Sequence, residues 1–395
     1  MAQGKRIGVL TSGGDCPGLN AVLRGVIKSA EQLGYGIVGF ERGYEGLAEP
    51  VRCRELTTKN TAGILTWGGT ILGSTNKGRF GATIGVDQRV EIDPYLLGKV
   101  AETFEDQHLA GLVCIGGEGS LAIAQQFHEH GLPVVGVPKT IDNDLSSTAF
   151  TFGFDSAVGC ATDALDRLHT TAASHQRVMV LEVMGRHTGW IALYSGIAGG
   201  ADVILLPEIG WSFEHLCQKI EDRYTRGPKF ANVVVAEGVH LPGGELVATE
   251  LGSATQQARL GGVSSVISVE IERRTRRETR AVVLGHLQRG GPPSVFDRVL
   301  ATQFGAHAVR LIVEGRLGEM VCYDPPEMRS VRIADAIRLS RVDPNCSAVQ
   351  AARALGISFG DDPALTTGQT SVWWQPAAEL PSRVPTAVVE SPFSS

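Results

Sequence analysis

The chain has 395 residues, 43% of them hydrophobic, and a formal net charge of −6. That is enough for two or three domains of roughly 150 residues each, and the charge argues against a general nucleic-acid binder. Seven scattered cysteines with no Cys-x-x-Cys pair argue against a zinc site and fit a reduced, cytoplasmic protein; no apolar run nears the ~18–20 residues of a membrane span, and the start MAQGKRIGVL carries no apolar signal segment.

In chain order, 7–11 reads as a buried strand, followed by Thr11-Ser12-Gly13-Gly14-Asp15-Cys16-Pro17-Gly18 and a helix over 20–33. Glycines let a backbone approach phosphate oxygens, and a helix N-terminus favours anions; a structural turn is the competing reading. Residues 76–93 have little periodicity and read as an extended surface insertion. The theme then repeats: a strand over 112–115, the loop Gly116-Gly117-Glu118-Gly119-Ser120, and a helix to about residue 130. Glu118 stands where a carboxylate can hold Mg²⁺, directly or through water, against nucleotide phosphates, or is an exposed loop glutamate. Gly119 leaves room for an α-phosphate and ribose; a carboxylate there would repel and block them.

The run 134–137 ends in the heptad Pro-Lys-Thr-Ile-Asp-Asn-Asp, 138–144. A turn after such a run delivers side chains to the carboxyl edge of a sheet, where open α/β folds bind ligands. Lys139 can hold phosphate oxygens, Thr140 can donate to an oxygen, and Asp142 and Asp144 can accept a proton or help organise a metal. A kinase needs these parts together: a base for the attacking hydroxyl and positive charge for the phosphoryl group. A solvated turn is the alternative for Asp-Asn-Asp alone.

Further strands are predicted at 178–183, 203–206, 233–236 and 281–284, with helices over 155–173, 213–226, 263–276 and 294–314. This alternation means βαβ units and mostly parallel sheets. Two phosphate-type loops in the first 120 residues suggest one nucleotide domain, and the strands after Thr151 a second α/β domain. Ser174-His175-Gln176-Arg177, Met184-Gly185-Arg186 and Arg280 put arginines at or near strand ends, where the guanidinium fork suits phosphate, unless they form surface ion pairs. Glu237 ends a strand and can accept sugar hydroxyls. His286-Leu287-Gln288-Arg289-Gly290-Gly291 offers an imidazole, an amide and a guanidinium to a sugar phosphate. The basic run 272–280 is mostly a solvated helix end, with function assigned only to Arg280. Residues 361–395, with five prolines and Arg383 as the one basic residue, read as a mobile tail in which Trp373-Trp374 could dock.

Together the segments GVLTSGGDCPGLNAVLRG, IGGEGS, PKTIDND, SHQR, EVMGR, AEG, TRAVVLGHLQRGG and DRVLATQFG resemble the ATP-dependent 6-phosphofructokinase family, in order, over 6–314. The resemblance implies two Rossmann-like three-layer domains with the active site in the cleft between them: 1–153 plus 288–340 for the nucleotide, 154–287 plus 341–360 for the sugar phosphate. It implies ATP and Mg²⁺, fructose 6-phosphate as acceptor, and a homotetramer. Asp142 would be the base for the sugar's 1-hydroxyl, with Thr140, Arg186 and Gly14 at the moving phosphoryl group and Glu118 serving Mg²⁺. Gly14, Gly117, Glu118, Gly119 and Ser120 would hold the nucleotide. Arg177 and Arg280 would reach the sugar 6-phosphate of a neighbouring subunit. Ile141, Met184, Gly185, Glu237, His286, Leu287, Gln288 and Arg289 would complete the sugar site.

Two departures concern the donor. Glu118 stands where the best-known ATP enzymes have Asp, and Lys139 where they commonly have Gly. A lysine there is typical of pyrophosphate-using relatives, which usually also replace the glycine at 119 with Asp. Keeping Gly119 with Lys139 resembles a mixed-substrate branch with the ATP-type glycine, so ATP is expected and pyrophosphate is the alternative. Arg24, Lys28, Gly200 and Asp202 lie at expected effector contacts, but His169 replaces an expected Arg and Pro228 and Phe230 fall where basic residues would help. Allosteric regulation is expected; the departures weigh against the usual ADP-activated, phosphoenolpyruvate-inhibited scheme. Two other classes compete: an NAD or diacylglycerol kinase, opposed by TIDND and HLQRGG, and a non-catalytic nucleotide sensor, opposed by the presence of Asp142, Arg186 and Glu118 together.

Overall fold

The structure is a computed structural model that describes residues 5–75, 78–80, 91–250 and 259–362. The chain begins β1 (Arg6–Thr11), α1 (Leu19–Gln32), β2 (Gly36–Phe40), β3 (Cys53–Leu56), α2 (Pro94–Asp106), β4 (Leu109–Gly116), α3 (Glu118–Glu129) and β5 (Val134–Pro138). It continues with α4 (Phe154–His175), β6 (Val178–Val183), α5 (Trp190–Ala198), β7 (Val203–Leu205), α6 (Phe213–Arg226), β8 (Ala231–Ala236), β9 (Ala248–Glu250) and β10 (Arg259–Leu260). It ends with α7 (Val263–Thr275), β11 (Thr279–Val283), α8 (Val295–Val313), β12 (Glu319–Asp324), β13 (Glu327–Arg332), α9 (Ile333–Ala336) and α10 (Ser347–Ala354).

Among the described residues one sheet has the order β13-β12-β5-β4-β1-β2-β3 and another the order β11-β6-β8-β7. The first is parallel through β12, β5, β4, β1 and β2, with antiparallel β13 and β3 at its edges. The second is parallel throughout. The fold is thus α/β with mostly parallel sheets. Parallel strands covered by helices on both faces must be apolar along their length. β6 and β8 are buried at every residue. The exception inside β6 is Glu182, whose carboxylate accepts from the Gly262 and Ser264 amides and the Ser264 hydroxyl at 2.8–3.2 Å. These donors lie at the start of α7, where an anion is stabilised by the helix end.

The described residues also hold elements that the sequence reading did not place: β2, β3, α2, α5, β9, β10, β12, β13, α9 and α10. Part of 76–93 needs correction too. Residues 76–77 and 81–90 lie outside the described residues, but Phe80 and Ile92 are buried, not on the surface. Phe80 packs its ring against Tyr44 and Phe127 at 5.9 Å. Two apolar residues twelve apart make no periodic signal. Residues 363–395, with Trp373-Trp374, lie outside the described residues. No described helix is long and apolar enough to cross a membrane.

Candidate active site

β5, β4 and β1 are neighbours and run parallel, so the loops after all three open on one edge. Backbone bonds stitch them together: Ser12 N donates to Ile115 O at 2.9 Å and Lys139 N to Gly116 O at 2.9 Å. A cavity of about 210 Å³ lies over this edge, lined by Gly13, Gly14, Gly117, Glu118, Gly119, Ser120 and Lys139 among others. Glu118 and Gly119 open α3 and follow the N-cap Gly117, so the cavity faces the positive end of a helix dipole.

Two cations grip the first glycine loop. The Lys139 side chain is buried and its Nζ donates to Gly14 O at 2.5 Å. Burial pushes its ammonium pKa down, and nearby Arg289 adds to that. Arg289 donates to Asp15 O at 2.9 Å. A Cβ on Gly14 would lie 2.8 Å from the Arg289 guanidinium, so only glycine lets the cation come this close.

Asp142 follows on the same loop. Its N–H donates to Thr140 Oγ1 at 3.1 Å, and its carbonyl accepts from Thr188 Oγ1 at 3.2 Å. Its Oδ1 is enclosed and has no hydrogen-bond partner among the described residues. Burial raises its pKa above the usual carboxylate range, and the Asp144 charge adds to this against the pull of Arg289. Asp144 is raised as well, by burial. Glu118 is raised by burial and then by Asp144. The Ile141 side chain packs in the hydrophobic core, which anchors the loop.

The facing edge comes from the second sheet. Met184, Gly185 and Arg186 follow β6, Glu237 follows β8, and residues 285–289 form a short 3-10 turn after β11. Gly185 has φ +139°, and a Cβ there would sit 2.5 Å from Thr188 O. Gln288 is buried; its Nε2 donates to Gly285 O at 3.0 Å and its Oε1 accepts from Met184 N at 3.4 Å. His286 and Leu287 are exposed on that turn. Burial pushes Glu237 up to about 7 although Arg186 lies near it. Arg289 joins the two edges, because its charge acts on Asp142 and on Glu237 while it is bonded to the first loop.

Arg177 and Arg280 are not brought to this place within one chain. Arg177 precedes β6, and Arg280 is in register with Met179 on β11, at the end of the second sheet away from Asp142. A strand of that length spans roughly 17–20 Å. Both arginines meet Glu278 Oε1, at 3.2 and 2.6 Å. Of the effector candidates, Arg24 and Lys28 lie on α1, while Asp202 is paired with Arg223 at 2.6 Å. The His169 ring packs on Phe230 at 4.9 Å. The sequence reading missed Thr188 and Glu208. Glu208 accepts from Gly189 N at 3.1 Å and Val342 N at 3.0 Å. No motif marks Glu208; Thr188 has only its place two residues after Arg186.

Two parallel α/β sheets whose carboxyl edges converge on glycine loops, paired carboxylates and phosphate-type cations define a phosphoryl-transfer protein. The phosphofructokinase family pattern matches residues 6–312. A protein of Chloroflexus aurantiacus named ATP-dependent 6-phosphofructokinase is 52% identical over 92% of this chain and 100% of its own length. One of Amycolatopsis methanolica named pyrophosphate–fructose 6-phosphate 1-phosphotransferase is 48% identical over 84% of this chain and 94% of its own. Among solved structures, the phosphofructokinase of Saccharomyces cerevisiae superimposes with a TM-score of 0.72 at 27% identity, over 89% of this chain. The chain spans 46% of the length of that yeast chain. The chain belongs to the phosphofructokinase family.

Proposed function

We propose that the chain transfers the γ-phosphoryl group of ATP to the 1-hydroxyl of fructose 6-phosphate, giving fructose 1,6-bisphosphate and ADP. The observation that carries this reading is Asp142: an enclosed carboxylate with an unpartnered oxygen, set between a glycine-lined cavity and the facing sheet edge. On this reading residues 1–153 plus 288–340 bind the nucleotide and 154–287 plus 341–360 the sugar phosphate.

Asp142 takes the proton of the 1-hydroxyl as that oxygen attacks phosphorus. Its raised pKa favours that transfer, since a base works best near the operating pH. Thr140, Arg186 and the Gly14 backbone hold the moving phosphoryl group, whose charge spreads over its oxygens during transfer. Glu237 and the 284–289 turn orient the sugar. Among the described residues no cluster of three or more His, Cys, Asp or Glu side chains forms a closed metal site. That fits Mg²⁺, which keeps several waters and is bound by one or two carboxylates plus substrate phosphates. Glu118, raised by burial and by Asp144, is the carboxylate for it; the ion supplies charge neutralisation to the donor phosphates when bound.

The sugar 6-phosphate needs cations that one subunit does not bring to Asp142. Arg177 and Arg280, on the far end of the second sheet, supply them to a neighbouring subunit in a homotetramer. The protein works in the cytoplasm, in glycolysis. Pyrophosphate use is a second reading favoured by one observation, the buried Lys139 against Gly14 O. A donor screen with fructose 6-phosphate decides: ATP with Mg²⁺ should support turnover well above pyrophosphate. A preference for pyrophosphate refutes the donor assignment, and no turnover with either refutes the activity.

A further inference from the structure

We propose that Thr151 and Asp297 are positioning residues for Asp142, acting through the segment that leads from the first sheet into the second. The inference rests on the reading of Asp142 as the base. Two bonds hold the Asp142 backbone, one to Thr140 Oγ1 and one from Thr188 Oγ1, its Oδ1 has no partner among the described residues, and Thr151 bonds Thr140 and Asn143 on either side of it. After the heptad the chain doubles back, so that Lys139 and Phe152 pair as a parallel bridge. Thr151 is completely buried beside residues 140–143. Its Oγ1 donates to Thr140 O at 2.7 Å, and its N–H donates to Asn143 Oδ1 at 2.9 Å, with Oγ1 also 3.3 Å from that oxygen. Asn143 has φ +50°, a left-handed conformation that Asn tolerates when its side chain is bonded locally. Thr151 therefore clasps the residues on either side of Asp142 and leaves its Oδ1 without a partner, available to a substrate hydroxyl.

A clasp is only as firm as its own support. Two residues on, Gly153 turns with φ +95° into α4. The start of α4 is held by Asp297, which is fully buried in the first turn of α8. Asp297 Oδ2 accepts from Ser156 N at 2.8 Å and Ser156 Oγ at 2.5 Å. Ser294 reinforces the joint, donating from Oγ to Asp155 at 2.5 Å and from N to Ser156 Oγ at 2.9 Å. An anion at the N-terminus of α4 also meets the helix dipole. α8 in turn packs closely on α1: a Cβ on Gly25 would lie 2.6 Å from Thr302 O. α1 begins directly after the first glycine loop. The loop that carries Asp142 and the loop that grips Lys139 and Arg289 thus share one rigid support.

The test is a mutant cycle read in kcat, in fructose 6-phosphate affinity and in folding. Thr151→Val keeps the shape and the N–H bond but loses the hydroxyl bonds. It should lower kcat about 10–100-fold, the order that a misplacement of about 1 Å costs, while fructose 6-phosphate binding by calorimetry stays within about 3-fold. Thr151→Ser should restore most of kcat. In an Asp142→Asn background Thr151→Val should cost little more, because residues acting as one unit are not additive. Asp297→Asn should show the same dependence on Asp142, and carries the test if Thr151→Val does not fold. Equal losses with and without Asp142, loss of sugar affinity in place of kcat, or wild-type kcat in Thr151→Val beside a slow Asp142→Asn each overturn the positioning role alone. Wild-type turnover in Asp142→Asn overturns the base assignment and this inference with it.

Discussion

Replacing Glu237 with Gln should make the protein more stable and its sugar site weaker, and the two effects should separate with pH. The Glu237 carboxyl stands at about 7 in the fold against an ordinary 4.5. Burial is the main cause; Arg186 pulls the value down, Glu182 pushes it up by less, and the two arginines together do not offset the burial. At ~1.4 kcal/mol per pH unit this amounts to about 3 kcal/mol of lost stability at most, and to about 1–3 kcal/mol after allowance for the water that reaches a half-buried group. The sign follows from the raised value. Below about pH 4.5 the carboxyl is protonated in both folded and unfolded chains, and Gln has no advantage. Between that point and about pH 7 the unfolded chain ionises while the folded protein resists, so the wild type loses stability as pH rises. Above pH 7 the loss is complete. Urea unfolding at pH 5 and pH 8 should therefore show a gain for Glu237→Gln that is small at the lower pH and full at the higher. The amide also replaces a charged acceptor for a sugar hydroxyl, a bond worth about 1.5–3 kcal/mol, so KM for fructose 6-phosphate at pH 8 should rise about tenfold or more. A gain equal at both pH values, or no gain at pH 8, would refute the burial argument.

Asp142→Asn should lower kcat about 10²–10⁴-fold with sugar binding intact. In the wild type kcat/KM should fall as pH drops through a value above the ordinary Asp range, because only the ionised carboxylate accepts the proton; an acid limb near pH 4 would contradict the burial of Asp142. Arg280→Ala should raise KM for fructose 6-phosphate more than it lowers kcat, and mixed oligomers with Asp142→Asn subunits should regain activity. Absence of complementation at every mixing ratio would count against a shared site. Gly119→Asp should impair ATP more than pyrophosphate: a carboxylate about 4 Å from an α-phosphate charge costs on the order of 4 kcal/mol at an effective dielectric of 20. Comparing kcat/KM for both donors checks this, and untouched ATP efficiency would overturn the role given to Gly119.

The strands β1, β4, β5, β6 and β8 were legible because they are buried along most of their length and a glycine or proline ends each or follows two residues on. The predicted 178–183 coincides with β6, and the helix 213–226 with α6. The edges were not. β3 exposes Arg54 and Glu55, and β13 alternates exposed and half-buried residues, so neither makes an apolar run. α5 is apolar along most of its length and shows no helical stripe. α2 carries Gly98 in its interior, which weakens its helical signal. The residues gathered around Asp142 were readable for a related reason: they follow strands, so their place at a sheet edge comes from local pattern. Their supports were not. Asp297 meets Ser156 across 141 residues, and Glu208 meets Val342 across 134. A single carboxylate or serine carries no mark of a partner so distant.

The opposite charges of this site do not outweigh the cost of burying them, and that bears on how it works. Asp142, Asp144 and Glu118 are each raised by burial, with the Asp144 charge adding to it at Asp142 and Glu118, while Lys139 is lowered by burial with Arg289 adding to it. Each group is displaced in the direction that the proposed ligands would correct. A phosphate beside Lys139 favours its ammonium form, and a divalent cation beside Glu118 favours its carboxylate. The protein thus gives up stability at its sheet edges, as functional sites commonly do, and substrate binding restores the missing charge balance. Asp142 is the exception that gives the arrangement direction. No ligand charge on the donor side relieves its free oxygen, because Oδ1 needs a proton donor. On the proposed function the 1-hydroxyl of the sugar is that donor, and the loop around Asp142 leaves the carboxylate to receive its proton when the phosphoryl group moves.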